Sequence, residues 1–143
     1  MEDLTPPSAE RGPGTLAAFL AYLLLVLAAT WPLPLESATH CWGLRYDLWG
    51  NLWLMGYFYH TLKHGIVAFT TPQIFHPEGF SVWAYGHFVL QVLTCPLLAI
   101  MSPSAAYSVL VWGSVSGSAL SLYLLARDQT GSRWAAFVAG GLY

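Results

Sequence analysis

Charge is what this chain has least of. Of 143 residues, only 8% are Asp, Glu, Lys or Arg, about a third of the share a soluble domain carries. A water-facing globular surface is hard to build from that inventory, so lipid is the expected solvent. The net charge of −2 supplies no basic field, which excludes nucleic acid as a partner. Cysteine is nearly as scarce. Cys41 and Cys95 are too few for a disulfide scaffold and lack metal-ligand spacing. They read as free thiols; pairing them would require both sulfurs on the outer side of a membrane. Also missing are a Ser-His-Asp order, a glycine-rich phosphate loop, a CxxC pair and a haem-attachment motif.

What is present is apolar: 56% hydrophobic and 15% aromatic residues. Residues 1–14, MEDLTPPSAERGPG, are polar and rich in Pro and Gly, and read as a tail. They lack the basic start and small-residue cleavage site of a secretory signal. No charge follows from Gly12 to Leu35, and Leu16 to Trp31 is almost wholly aliphatic. Roughly 20 such residues cross a ~30 Å hydrocarbon core, so residues 15–35 are expected as a first transmembrane helix. Trp31, Pro32 and Pro34 mark its end.

Residues 36–104 are expected as an outer-face loop. All five histidines lie within it, at 40, 60, 64, 76 and 87. Asp47 suits an N-cap and Gly65 a helix stop, which predicts an interfacial helix over 48–64. Trp49, Trp53 and Tyr57 recur at i, i+4 and i+8 on one face, as an interfacial anchor or as a surface for a sugar or isoprenoid. The stretch TTPQIFHPEGF carries turn chemistry. The apolar piece 87–101 is short for a span and contains Pro96, so it is expected as a second interfacial helix.

Residues 105–126 are long enough to cross, with Ser114, Gly117 and Ser118 allowing close helix approach. A short loop, 127–133, precedes the start of a third apolar helix at 134–143. The fold class is therefore an all-α membrane protein with two full spans, an outer loop and the first half of a third span. Arg127 and Arg133 in a short loop place that loop in the cytoplasm, and the amino terminus with it.

Asp47 is the residue with two readings. An acid at an outer membrane boundary can act as a general base, and it can equally serve as the helix cap. His60 and His64 share a helix face at zinc-type spacing but have no acid between them, so no dedicated metal site is assigned. His76 sits in a turn, either as plain loop surface or facing a phosphate or sugar hydroxyl.

Taken in order, the first apolar helix, Asp47 ahead of LWGNLWLMGYFYHTLKHG, the TPQIFHPEGFSVW turn and YLLAR…TGSRWAAFVAGGLY resemble the amino-terminal part of bacterial integral-membrane glycosyltransferases of the GT-C fold, including the YfhO-like relatives. The resemblance runs over nearly the whole chain from about residue 16. It implies an inner-membrane enzyme that takes a sugar from a polyprenyl-phosphate carrier to an outer-face acceptor. Asp47 matches the acid near the start of that family's first outer loop, thought to activate the acceptor or to organise a divalent cation. His76, Trp49, Trp53 and Asn51 are the residues expected to touch substrate. This chain departs from the family in having no paired acid: Arg45 and Trp49 flank the single carboxylate at a spacing of two. It also lacks the further helices that build the carrier-lipid cavity, so activity of these residues alone is not expected. The alternative is a short non-catalytic membrane subunit that packs into a larger complex through the small-residue face of residues 105–126.

Overall fold

The computed structural model describes residues 12–43, 45–66, 69–82 and 88–143. They are mostly helical. The order is α1 (Thr15–Ala29), α2 (Leu33–Glu36), α3 (Arg45–Lys63), β1 (Thr70–Thr71), β2 (Phe80–Ser81), α4 (Phe88–Leu98), α5 (Pro103–Thr130) and α6 (Arg133–Gly141). The chain packs as two units, Met1–Pro32 with Val111–Tyr143, and Leu33–Leu110.

Among the described residues one helix is long and apolar enough to cross a membrane, and it is α5. Its 28 residues rise about 42 Å, and only 22% of its most apolar window is buried. A core helix of a water-soluble domain would be mostly covered; this one turns Val109, Val115, Leu124 and Leu125 outward. The helix continues past the expected loop start at 127, because Arg127, Asp128 and Gln129 are all tolerated in a helix. It stops at Gly131, which adopts φ +64 and donates its N–H to Arg127 O at 2.9 Å. Glycine takes that left-handed conformation without steric cost. Ser132 then caps α6 by accepting from the Ala135 N–H.

The expected first span over 15–35 is only partly matched by a single helix. α1 has 15 residues, about 22 Å of rise, which falls short of the hydrocarbon core. Thr30 ends it: its hydroxyl donates to Val26 O at 2.9 Å and its backbone N–H to the same carbonyl. Pro32 and Pro34 then deny the backbone donors that would extend the helix. Among the described residues, two helices each long enough to cross are therefore not shown.

In this first unit α1, α6 and the carboxyl-terminal part of α5 share a core of Ala18, Tyr22, Ala119, Tyr123 and Ala136, with Leu120, Ala126 and Phe137 against it. Small residues and tyrosines alternate here for a reason. Alanines let the helices approach, and the phenols reach across to backbone carbonyls of neighbouring segments, satisfying their own hydroxyls. Tyr22 donates to Phe137 O at 2.9 Å and stacks on the Phe137 ring at 5.3 Å. Tyr123 donates to Pro13 O at 2.7 Å. Trp112 Nε1–H donates to Thr30 Oγ1 at 3.1 Å.

The second unit is built on α3 and α4, which pack against each other. Leu54, Phe58 and Val82 form its core, with Tyr57 and Phe80 beside them. The all-α expectation is amended by one antiparallel strand pair, Thr70 with Ser81 and Thr71 with Phe80, so the TTPQIFHPEGF turn is the loop of a small hairpin. Threonine and phenylalanine suit a pleated, half-buried strand, and Thr71 is fully buried. The helix expected over 48–64 begins earlier, at Arg45, and the one expected over 87–101 is α4, ending at Leu98. Residues 1–11 of the expected tail, and His87, lie outside the described residues.

Candidate functional site

Asp47 is not the N-cap of α3. It stands in the third helical position, inside the first turn, and is exposed. The carboxylate still meets the positive end of the helix dipole there, an interaction of about 0.3–1 kcal/mol. Its surroundings include two groups that sequence reading had not joined to it. Tyr107, on the first turns of α5, is close enough to Cys41 and Asp47 for their charges to act on its phenol. The same hydroxyl lies 3.8 Å from where a side chain on Gly43 would begin, and Leu48 closes the other side at 3.5 Å. Asp47 and Cys41 thus lie within electrostatic range of the Tyr107 phenol where α3 starts. Tyr107 is 60 positions from Asp47, and no local pattern links the two.

The helix separates Asp47 from the aromatic stripe. At 3.6 residues per turn, Trp53 sits about 120° around α3 from Asp47. Trp53 and Tyr57 stack at 5.2 Å between centroids, 18° from parallel. Trp49 is largely exposed one turn before them. Asn51 is half-buried one turn after Asp47, on the Asp47 side of the helix. His76 is exposed in the hairpin loop, next to Phe75, whose ring contacts Phe80 at 5.8 Å.

Two clefts meet at Trp53. One, of about 250 Å³, is lined by Gly50, Trp53, Leu54, Ile74, Phe75 and Phe80. The other, of about 340 Å³, is lined by Leu52, Trp53, Gly56, Tyr57, His60 and Gln73. Of the residues expected to touch substrate, Trp53 alone lines both; His76, Trp49 and Asn51 line neither. Gln73, His60 and Tyr57 were not singled out with it, because their approach depends on the hairpin folding back over α3. That fold is tied by the Tyr57 hydroxyl, which donates to Thr70 O at 3.4 Å.

A divalent cation near Asp47 is not supported by the residues that surround it. Among the described residues no group of three His, Cys, Asp or Glu gathers. A single carboxylate supplies too few of the six or more oxygens that such ions take. The rings of His60 and His64 approach to 4.5 Å but also lack a third ligand.

Both cysteines are free. Burial pushes the Cys95 thiol up, and its S–H donates to Gln91 O at 3.3 Å. Since the thiolate is the reactive form, Cys95 should react slowly with maleimide at neutral pH. In a Cys41→Ser background the rate should rise with pH and reach half its maximum above the value for free cysteine, followed by mass spectrometry. A neutral-pH rate equal to that of free cysteine would contradict the burial.

Comparison of the chain with known protein families, curated proteins and solved structures returns no match.

Proposed function

We propose that this chain is the amino-terminal membrane module of a glycosyltransferase, one that moves a sugar from a polyprenyl-phosphate carrier to an acceptor at the outer face of a bacterial inner membrane. The observation that carries the reading is Asp47: an exposed carboxylate in the first turn of α3, within electrostatic range of the Tyr107 phenol, in a chain with a membrane-length helix. In this reading Asp47 takes the proton from the acceptor hydroxyl as that oxygen attacks the anomeric carbon, and the polyprenyl phosphate leaves with the bonding electrons. The remaining helices of the carrier-lipid cavity come from other membrane segments or subunits. Loss of sugar transfer on Asp47→Asn is the deciding test.

The amino terminus is proposed to be cytoplasmic and residues 36–104 external, a topology that requires residues 12–35 as a whole, and not α1 alone, to complete a first crossing. A cysteine introduced at Gln73 in a Cys41→Ser, Cys95→Ser background should label with a membrane-impermeant maleimide from the outer face of oriented vesicles. Labelling only from the cytoplasmic face would overturn this topology and, with it, the outer-face acceptor.

The exposed apolar side of α5 favours a second reading, a non-catalytic subunit that packs into a larger membrane complex. Its outcome differs: Asp47→Asn would leave activity of the assembly intact, and substitutions on the outward face of α5 would dissociate it.

A further inference from the structure

The two clefts at Trp53 differ in kind. The smaller one has no polar side chain in its lining. The larger has an aromatic pair on one side, the Gln73 amide and the His60 ring at its rim, and Gly56 in its wall. A Cβ at Gly56 would meet nothing within 4 Å, so that stretch of wall is open space. Among the residues lining the larger cleft there is no carboxylate, lysine or arginine, so a charged ligand would find no fixed counter-ion there.

Those properties select a ligand class. A pyranose has an apolar face of C–H groups and an equatorial ring of hydroxyls. The first matches a flat aromatic surface, and the second matches side chains that both donate and accept, as an amide and an imidazole do. An alkyl chain would leave the Gln73 and His60 groups without partners and would be better matched by the smaller cleft. A phosphate would lack its cation. The Tyr57 hydroxyl donates to Thr70 O and so could only accept from a ligand; its ring stacks on Trp53 and holds that indole in place.

We infer that the cleft formed by Trp53, Gly56, Tyr57, His60 and Gln73 binds a neutral pyranose, and that the acceptor of this module is a saccharide. The acceptor assignment rests on the proposed glycosyl transfer, whereas the binding does not. Trp53 supplies the stacking surface and Gln73 and His60 the hydroxyl partners. Asp47 lies on another sector of α3, so this cleft holds a sugar unit of the acceptor away from the reacting hydroxyl.

The test is saturation-transfer NMR on the full chain in phosphatidylcholine nanodiscs, with methyl hexopyranosides and octyl pyranosides as probes. Ring protons of at least one methyl hexopyranoside should receive saturation, and the signal should be lost in Gly56→Leu. That substitution fills the cleft from a position with free space, so helical content by circular dichroism should be unchanged. Gln73→Leu, on an exposed loop, should weaken the signal and change which epimer gives it most strongly. No transfer to any pyranoside, transfer that survives Gly56→Leu, or transfer confined to the octyl chain would each overturn the inference. Asp47→Asn separates the two ideas. Pyranoside binding with sugar transfer unaffected by Asp47→Asn sinks the catalytic reading and leaves the cleft assignment standing. Transfer that depends on Asp47 without any pyranoside binding does the reverse.

Discussion

Asp47→Asn should lower sugar transfer by roughly 10²–10⁴-fold, the range a positioned general base contributes, while the protein still folds. The two halves of that expectation have different origins. Asparagine matches aspartate in size, and the position is exposed, so no cavity or buried unpaired group is created. What the helix loses is the charge–dipole attraction at the third position, about 0.3–1 kcal/mol. That loss shifts stability slightly and cannot account for a hundredfold fall in turnover. The assay is transfer of labelled sugar from polyprenyl-phosphate donors by the complete membrane protein, with folded protein quantified in the same samples. Activity that falls only in step with folded protein would make Asp47 a helix-end charge and nothing more. Tyr107→Phe is the informative companion, because it keeps the ring and removes only the hydroxyl, the group that lies near Gly43. If the phenol positions the carboxylate or shares its proton, the pH profile of transfer should move in that variant; a merely structural ring would leave it where it was.

How much of this was legible in the sequence depends on the range of the interaction. The uncharged run ahead of Arg127 announced α5, because hydropathy acts within a few residues, but its end was placed at 126, where the charges begin. The helix instead runs on to Thr130 and stops at the left-handed Gly131. The 15–35 stretch differs from α1 for the opposite reason. Apolar composition continues to Leu35, but a threonine hydroxyl turns back on the last turn of α1 and two prolines follow, so backbone hydrogen bonding ends the helix before hydrophobicity does. Asp47 was expected as a cap because it is a good one; the helix instead begins at Arg45, where no capping pattern is evident. The stacking of Trp53 on Tyr57 follows from their spacing along one helix face. The clefts beside them do not, since Gln73, Ile74 and Phe75 arrive on a hairpin whose pairing spans Thr70 to Ser81. Tyr107 beside Asp47 is the extreme case: one residue sits on each of two helices, and only tertiary packing brings them together.

Gly140 is the position where one methyl group should do most damage to the first unit. A Cβ there would fall against the Tyr22 hydroxyl, 2.6 Å from Ala119 O and 2.8 Å from Tyr22 Cζ. The Tyr22 ring is itself fixed, stacked on Phe137 and donating to Phe137 O, so it has little freedom to move aside. Ala119 O is backbone of α5 and can yield only if α6 moves away. Overpacking of this kind costs about 1–3 kcal/mol, and here it also breaks the hydrogen bond, about 0.5–1.5 kcal/mol more. Gly140→Ala should therefore lower the midpoint of thermal unfolding in detergent by several degrees, and Gly140→Leu should prevent α6 from docking at all. Double-mutant analysis identifies the cause. Tyr22→Phe alone loses the hydrogen bond, but in the Gly140→Ala background it removes the atom that the new methyl meets first. The two losses should then sum to less than their separate values. Strict additivity would mean that the clash with Ala119 O dominates, in which case neither Ala119→Gly, which leaves that carbonyl in place, nor Tyr22→Ala should give rescue. A Gly140→Ala protein as stable as the original would show that α6 does not approach α1 and α5 as closely as the packing of Ala18, Ala119 and Ala136 requires.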